Sequence, residues 1–116
     1  MKILTVASIK EIEHYDWSEF VYNHPNGNIF QSPVMFKVFF ETKKYVPFSL
    51  IAFEDNNIVG VLQGVVQKEY NGLLGYFSSR CIIWGGPLVK DDRINILELL
   101  IKKLNAYVRS KTIYIQ

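Results

Sequence analysis

The chain has little of what metal centres, disulfide frameworks and phosphate loops are built from. Cys81 is the one cysteine in 116 residues, so no internal disulfide can form. Its neighbours Ile82, Ile83 and Trp84 make it a core thiol rather than a reactive one. His14 and His24 are the only histidines, they fall on different expected elements, and no Cys or His pair has a ligand spacing, so no metal site is expected. A Cys-His or Ser-His nucleophile has no visible partner, and no residues are assigned as catalytic. Neither GxGxxG nor GxxxxGKS/T occurs, which removes the common nucleotide loops, and no cofactor is expected. With 13 basic and 11 acidic residues the net charge is +2, too small for a general nucleic-acid or membrane-surface footprint, so any anion site must be local. No run approaches the roughly 18 to 20 apolar residues of a membrane span. The N-terminal MKILTVASIKEIE is interrupted by Lys10, Glu11 and Glu13 before a signal core can form, and a cytoplasmic protein is the expectation.

What is present is an apolar, aromatic-rich chain, 49% hydrophobic and 15% aromatic, of a size for one domain. Residues 2–7 read as a strand. A helix follows around 16–23, with Asp16 as its cap and Trp17, Phe20 and Val21 on one buried face. Asn26-Gly27 is a turn signal that tolerates positive φ at both positions. Ser32-Pro33 then pairs an N-cap with the residue best suited to the first helical turn, which fixes the start of a helix expected over 33–44. Met35, Phe36 and Phe39 share one side of it, and Lys37, Glu41 and Lys44 another. Residues 48–54 and 58–69 are strands joined through Asp55-Asn56-Asn57, and Gly60 and Gly64 mark a bulge or a close approach in the second. Asn71-Gly72 is a further turn signal, residues 73–84 hold one broken strand or two short ones, and Gly85-Gly86-Pro87 ends them. Asp91 or Asp92 caps a last helix in which Ile94, Leu97, Ile101, Leu104 and Val108 repeat at three- and four-residue steps. Lys102, Lys103, Arg109 and Lys111 crowd its C-terminal end, as the helix dipole favours. Residues 112–116 begin another strand. The order is β-α-α-β-β-β-α-β without repeat or linker, an α+β arrangement with helices flanking a mixed, largely antiparallel sheet.

Three groups are candidates for chemistry. Glu11, Glu13 and Asp16 make an acidic cluster that a solvated face explains better than acid-base work. Gly85-Gly86-Pro87 precedes a helix and is either a structural turn or a ligand cradle. Lys37 interrupts the apolar MFKVFF just after a fixed helix start. It either presents its ammonium to a phosphate or pairs with Glu41 one turn on.

The segment WSEFVYNHP, the turn and helix NGNIFQSPVMFKVF, the hairpin around Asn57-Ile58-Val59-Gly60, and WGGPLV before the last helix resemble, in order and spacing, the amino-terminal half of the Fem-type (FemABX-like) aminoacyl and acyltransferases. These are built from two GNAT-like modules. The resemblance implies that residues 1–116 form a single, incomplete GNAT-like N-terminal module of a longer two-module transferase in peptidoglycan or polysaccharide precursor synthesis. It further implies that Lys37 contacts the diphosphate of a nucleotide-linked sugar precursor, in a cleft bordered by Trp84, Gly85 and Gly86. Aminoacyl-tRNA or acyl-CoA would be engaged through the missing C-terminal module. The acyl-CoA pyrophosphate signature of ordinary GNAT enzymes, Gln or Arg before a Gly-x-Gly/Ala turn, is missing. The chain alone is therefore not expected to catalyse, a sheet edge is left open for homo-oligomer formation, and the alternative is a non-catalytic binding or scaffolding domain.

Overall fold

Two strands that read as almost unbroken apolar runs dictate the rest of the architecture, because such runs are stable only when both faces of the sheet are covered. The computed structural model of the chain describes residues 2–6, 14–42, 45–67, 80–111 and 114–115. In it β2 (Tyr45–Glu54) and β3 (Asn57–Gln67) form the central hairpin, buried continuously over 47–52 and 59–66. Asp55 and Asn56 turn it at φ 53° and 68°, a two-residue loop whose left-handed backbone suits the twist of the strands. Asn57 already pairs with Glu54, so the connection is one residue shorter than expected. Val59 is the extra residue of a bulge between the pairs Ala52–Gly60 and Phe53–Ile58.

Around this hairpin stand β1 (Lys2–Val6), β4 (Arg80–Ile82), β5 (Leu88–Val89) and β6 (Tyr114–Ile115), in the order β1-β2-β3-β4-β6, with β5 also pairing β3. All pairs are antiparallel except β4 with β6. Since β4 meets β3 at Val65–Gln67 and β5 meets it at Gly60–Val61, the residues between them, 83–87, leave the sheet. Helices α1 (His14–Asn23) and α2 (Pro33–Glu41) cover one face, where Trp17, Val21 and Phe36 pack on Val6, Ile51, Val61 and Leu88. On the other, α3 (Ile94–Lys111) sets Ile96, Leu100, Leu104 and Val108 against Phe48, Leu50, Ala52, Leu62 and Cys81. Burial pushes the Cys81 thiol up to about 11. This is the mixed α+β layering that the element order predicts. No helix among the described residues is long and apolar enough to cross a membrane.

Several local expectations shift. Helix α1 starts at His14, which puts Asp16 in its first turn rather than at its cap. Helix α2 spans Pro33–Glu41, where the Thr42 hydroxyl donates to Val38 O at 2.9 Å, and Lys44 lies outside the described residues. Asp91 and Asp92, at φ 52° and 54°, belong to a 3-10 turn (Lys90–Asp92), and the cap position of α3 falls to Arg93, whose carbonyl accepts from Leu97 N–H. The buried stripe of α3 is also rotated: Ile94 is 67% exposed and Ile96 fully buried. Gly60 gives the reason, since a Cβ there would lie 2.8 Å from Ile96 Cγ2 and 3.1 Å from Leu100 Cδ1. The helix sits in that notch, and the notch chooses between two apolar stripes that share Leu104 and Val108. Gly64 is a close approach too, with Ile82 O 2.8 Å from where its Cβ would be. Glu11, Glu13, the Asn71-Gly72 turn and most of the 73–84 strand reading lie outside the described residues.

Arg93 reaches back to the hairpin and holds the Glu54 carboxylate with two N···O contacts of 3.0 Å. The hydrogen bond and charge of Arg93 lower the Glu54 pKa. A depressed carboxylate stabilises the fold fully above its unfolded pKa and loses that contribution as pH falls through the folded value. The urea midpoint of the wild type should therefore drop more steeply than that of Arg93→Ala on acidification from about pH 5 to 3, and added salt should shrink the difference. Parallel curves would rule the pair out as a contributor.

Candidate functional site

The chain from Asn28 to Ser32 makes a corner that two consecutive caps hold in place. Asn28 Oδ1 accepts from Phe30 N–H at 3.0 Å, and Gln31 Oε1 accepts from Asn28 N–H at 2.9 Å, a capping box around the 3-10 turn Ile29–Gln31. Ser32 Oγ then accepts from Met35 N–H at 3.3 Å and donates to Ile29 O at 2.6 Å, with Pro33 at the first helical position of α2. The Ser32-Pro33 start is as the sequence indicates. The Asn26-Gly27 turn differs: neither residue has positive φ, and Gly27 is needed because a Cβ would fall 1.9 Å from Val21 O.

Two buried glutamines fasten this corner from opposite sides. Gln31 accepts the Trp17 indole N–H on its backbone carbonyl at 2.8 Å, while its Nε2 donates to Gly85 O at 2.8 Å and Gly86 O at 3.2 Å. From the middle of β3, Gln63 Nε2 donates to Phe30 O at 2.9 Å and Ser32 O at 3.0 Å, and its Oε1 accepts from Ser49 Oγ at 2.8 Å. Both amides are about 1% exposed, and among the described residues no buried side-chain polar atom lacks a partner.

Segment 83–87, the part that leaves the sheet, is thereby bound to the corner. Gly85 has no room for a side chain, since a Cβ would meet Asn28 Oδ1 and Gln31 Cγ at 2.9 Å, and Gly86 adopts φ +68°. Trp84 stacks on Phe39 at 5.0 Å and 19°, meets Tyr45 edge-on at 5.9 Å and leans on Phe30 at 6.2 Å. Trp84 and Phe30 stay 43% and 39% exposed, which makes the turn the rim of an aromatic shelf.

Trp84, Gly85 and Gly86 are thus one unit, joined to α2 through Phe39. Lys37 is exposed on the same helix, and no ion pair joins it to Glu41 among the described residues. Two residues along a helix are about 200° apart, so Lys37 and Phe39 face opposite sides of α2. Sequence reasoning missed Gln31, Gln63, Phe30 and Tyr45. The available signal was a glutamine inside an otherwise apolar strand, VLQGVV, and a second one directly before Ser-Pro.

A separate open cleft of about 660 Å³ lies among the end of α1, the β2–β3 hairpin and the 3-10 turn before α3, lined by Asp16, Glu19, His24, Asn57, Asp91 and Asp92 among others. His24 Nδ1 accepts from Asn26 N–H at 3.0 Å, so Nε2 carries the proton and donates to Val89 O. Both ring nitrogens are used structurally, which leaves no free imidazole nitrogen there. Among the described residues no group of three His, Cys, Asp or Glu is placed to hold a metal ion.

No family model and no curated protein matches the chain. Solved structures do. The chain superposes on FemX with a TM-score of 0.73 at 18% identity, over 97% of this chain and 25% of that one, so it spans about a quarter of the length of FemX. It superposes on the aminoglycoside 6'-N-acetyltransferase AAC(6')-IG of Acinetobacter haemolyticus with a TM-score of 0.63 at 17% identity, over 99% and 77% of the two chains. For a ribosomal-protein-alanine N-acetyltransferase of Brucella melitensis the TM-score is 0.57 at 12% identity, over 100% and 79%. The fold is a FemX-like, GNAT-type fold.

Replacing Gln63 by Leu would take the partner from the Phe30 carbonyl and from the buried Ser49 hydroxyl, and leave the Ser32 carbonyl with Phe36 N–H alone. Gln63→Leu should lose at least about 1 to 3 kcal/mol, the cost of one orphaned buried polar group, in urea unfolding followed by circular dichroism. A loss under half a kcal/mol would mean that water reaches these groups.

Proposed function

We propose that this chain is the amino-terminal GNAT-like module of a Fem-type aminoacyl or acyltransferase, cytoplasmic, and that it supplies the side of the cleft that binds a nucleotide-linked peptidoglycan or polysaccharide precursor. The observation that carries the reading is the capped corner of α2, which presents exposed Lys37 on one side of the helix and the fixed Trp84-Gly85-Gly86 turn on the other. A helix is about 10 Å across with its side chains, and a nucleoside diphosphate sugar is long enough to touch both. Lys37 is the diphosphate contact. Its compact ammonium suits a compact, doubly charged group.

The start of α3 supports a division of labour. Helix N-termini attract phosphates through unpaired N–H groups and the dipole. Here Asp91 and Asp92 stand beside that end, and the charge of Arg93 is taken by Glu54. An acyl-CoA pyrophosphate would meet two carboxylates, so the acyl or aminoacyl donor belongs to a second module. A second reading, a scaffolding domain without catalysis, is favoured by the exposed apolar residues Tyr22, Ile29, Val34 and Val38. In either case the outer edges of β1 and β6, which no strand covers among the described residues, are places where a second copy could add strands.

Titration with UDP-N-acetylglucosamine separates the two readings, since only the first requires binding. Lys37→Ala should fold normally and weaken that binding by about 1.5 to 3 kcal/mol, the value of a hydrogen bond to a charged group, while Lys103→Ala on α3 should have no effect. Equal affinity of wild type and Lys37→Ala would remove Lys37 from the site. Acetyl-CoA should show no binding tighter than roughly 10 μM by calorimetry, and a tighter value would overturn the assignment of the donor to another module.

A further inference from the structure

Gln31 is buried, forms no part of the apolar core, and spends both of its amide protons on one turn. Resting on the precursor-binding reading above, we infer that Gln31 is the positioning residue of the site: by gripping the carbonyls of Gly85 and Gly86 it turns the Gly86 N–H toward the ligand and holds the Trp84 ring in place.

The geometry follows from the peptide unit. In a trans peptide the carbonyl and the N–H point in opposite directions, and the described chain contains no cis bond. Gly85 O points at Gln31 Nε2, so the Gly86 N–H of the same unit points away from it. Pro87 carries no N–H, which leaves Gly86 as the one outward donor of the pair. No protein acceptor among the described residues meets that N–H. A Cβ on Gly86 would find nothing within 4 Å, so the turn is open on that side. Trp84 enters the same turn and keeps 43% of its surface exposed while stacked on Phe39. An outward N–H next to an exposed indole suits a ligand that offers an accepting oxygen beside a flat or apolar ring face, as the base or sugar end of a nucleoside diphosphate sugar does when Lys37 holds its diphosphate.

Gln31→Glu and Gln31→Met test this, with UDP-N-acetylglucosamine titration, acrylamide quenching of tryptophan fluorescence and thermal unfolding as readouts. Trp17 is fully buried, so the quenchable emission reports Trp84. Both variants should bind about tenfold more weakly and quench more strongly. In Gln31→Glu the carboxylate would face two carbonyl oxygens in a dry site, which raises its pKa. Acidification should return a proton that can donate to Gly85 O and restore both binding and quenching. Gln31→Met should show no such recovery. Gln31→Met also keeps the test open if the buried charge of Gln31→Glu unfolds the chain. Wild-type affinity in folded Gln31→Met overturns the inference and leaves Lys37 untouched. Weaker binding without a change in Trp84 quenching overturns it as well, because the effect would not run through the turn. No binding by the wild type removes the precursor reading and this inference with it.

Discussion

Six hydrogen bonds from two buried side-chain amides connect parts of the chain that hydrophobic packing alone would leave free to slide. Gln63 ties the 28–32 corner down to the centre of β3, and Gln31 ties the turn at 84–86 to the same corner. A buried amide without partners would be costly, so each glutamine stabilises one arrangement and penalises its neighbours. The direction in which α2 leaves the corner, and the position of Trp84 above Phe39, both depend on that all-or-none satisfaction. Directional bonds are what the surface of a site needs, because apolar contact fixes how much area is buried and much less how it is oriented.

The sheet supplies the rigid floor on which this corner rests. Alternate side chains of β2 and β3 feed two separate clusters, Leu50 and Ala52 toward α3 and Ile51 toward α1 and α2. Because both faces are covered, the strands can be apolar throughout, and a lone polar residue such as Gln63 must be there for a specific partner. Glycine shapes the same floor by subtraction. The notch at Gly60 sets where α3 lies, and the one at Gly64 admits the backbone of Ile82 just before the chain lifts off the sheet. The lifted segment is free to serve as a rim because β4 and β5 hold it at both ends.

Charge is distributed unevenly around this frame. Carboxylates gather at the start of α3 and along the neighbouring cleft, whereas exposed Lys37 stands on α2. The weak overall charge of +2 thus includes a local acidic group at the start of α3. A GNAT-type fold supports many chemistries, so the reading of function rests on these local features and not on the architecture.

Strong local rules were legible in the sequence. Ser32 before Pro33 had to start a helix, and Asp55-Asn56-Asn57 had to hold a hairpin turn, which the structure closes over Asp55-Asn56 alone; element order and class follow from such signals. The resemblance to Fem-type proteins was likewise carried by short segments in a fixed order, and the fold agrees with it. Where two local solutions were nearly equal, the sequence could not choose. The stripe through Ile94 and Leu97 and the stripe through Ile96 and Leu100 are both amphipathic, and only the notch at Gly60 decides between them. Asp91 and Asp92 each offered a cap, yet the cap position falls to Arg93, whose side chain is held by Glu54, 39 positions away. The candidate site is the extreme case. Gln31 and Gly85 are 54 positions apart, and Gln63 is 33 from Phe30. A hydrogen bond of that span leaves no periodicity to read, so what the two glutamines hold became visible only when the chain was folded.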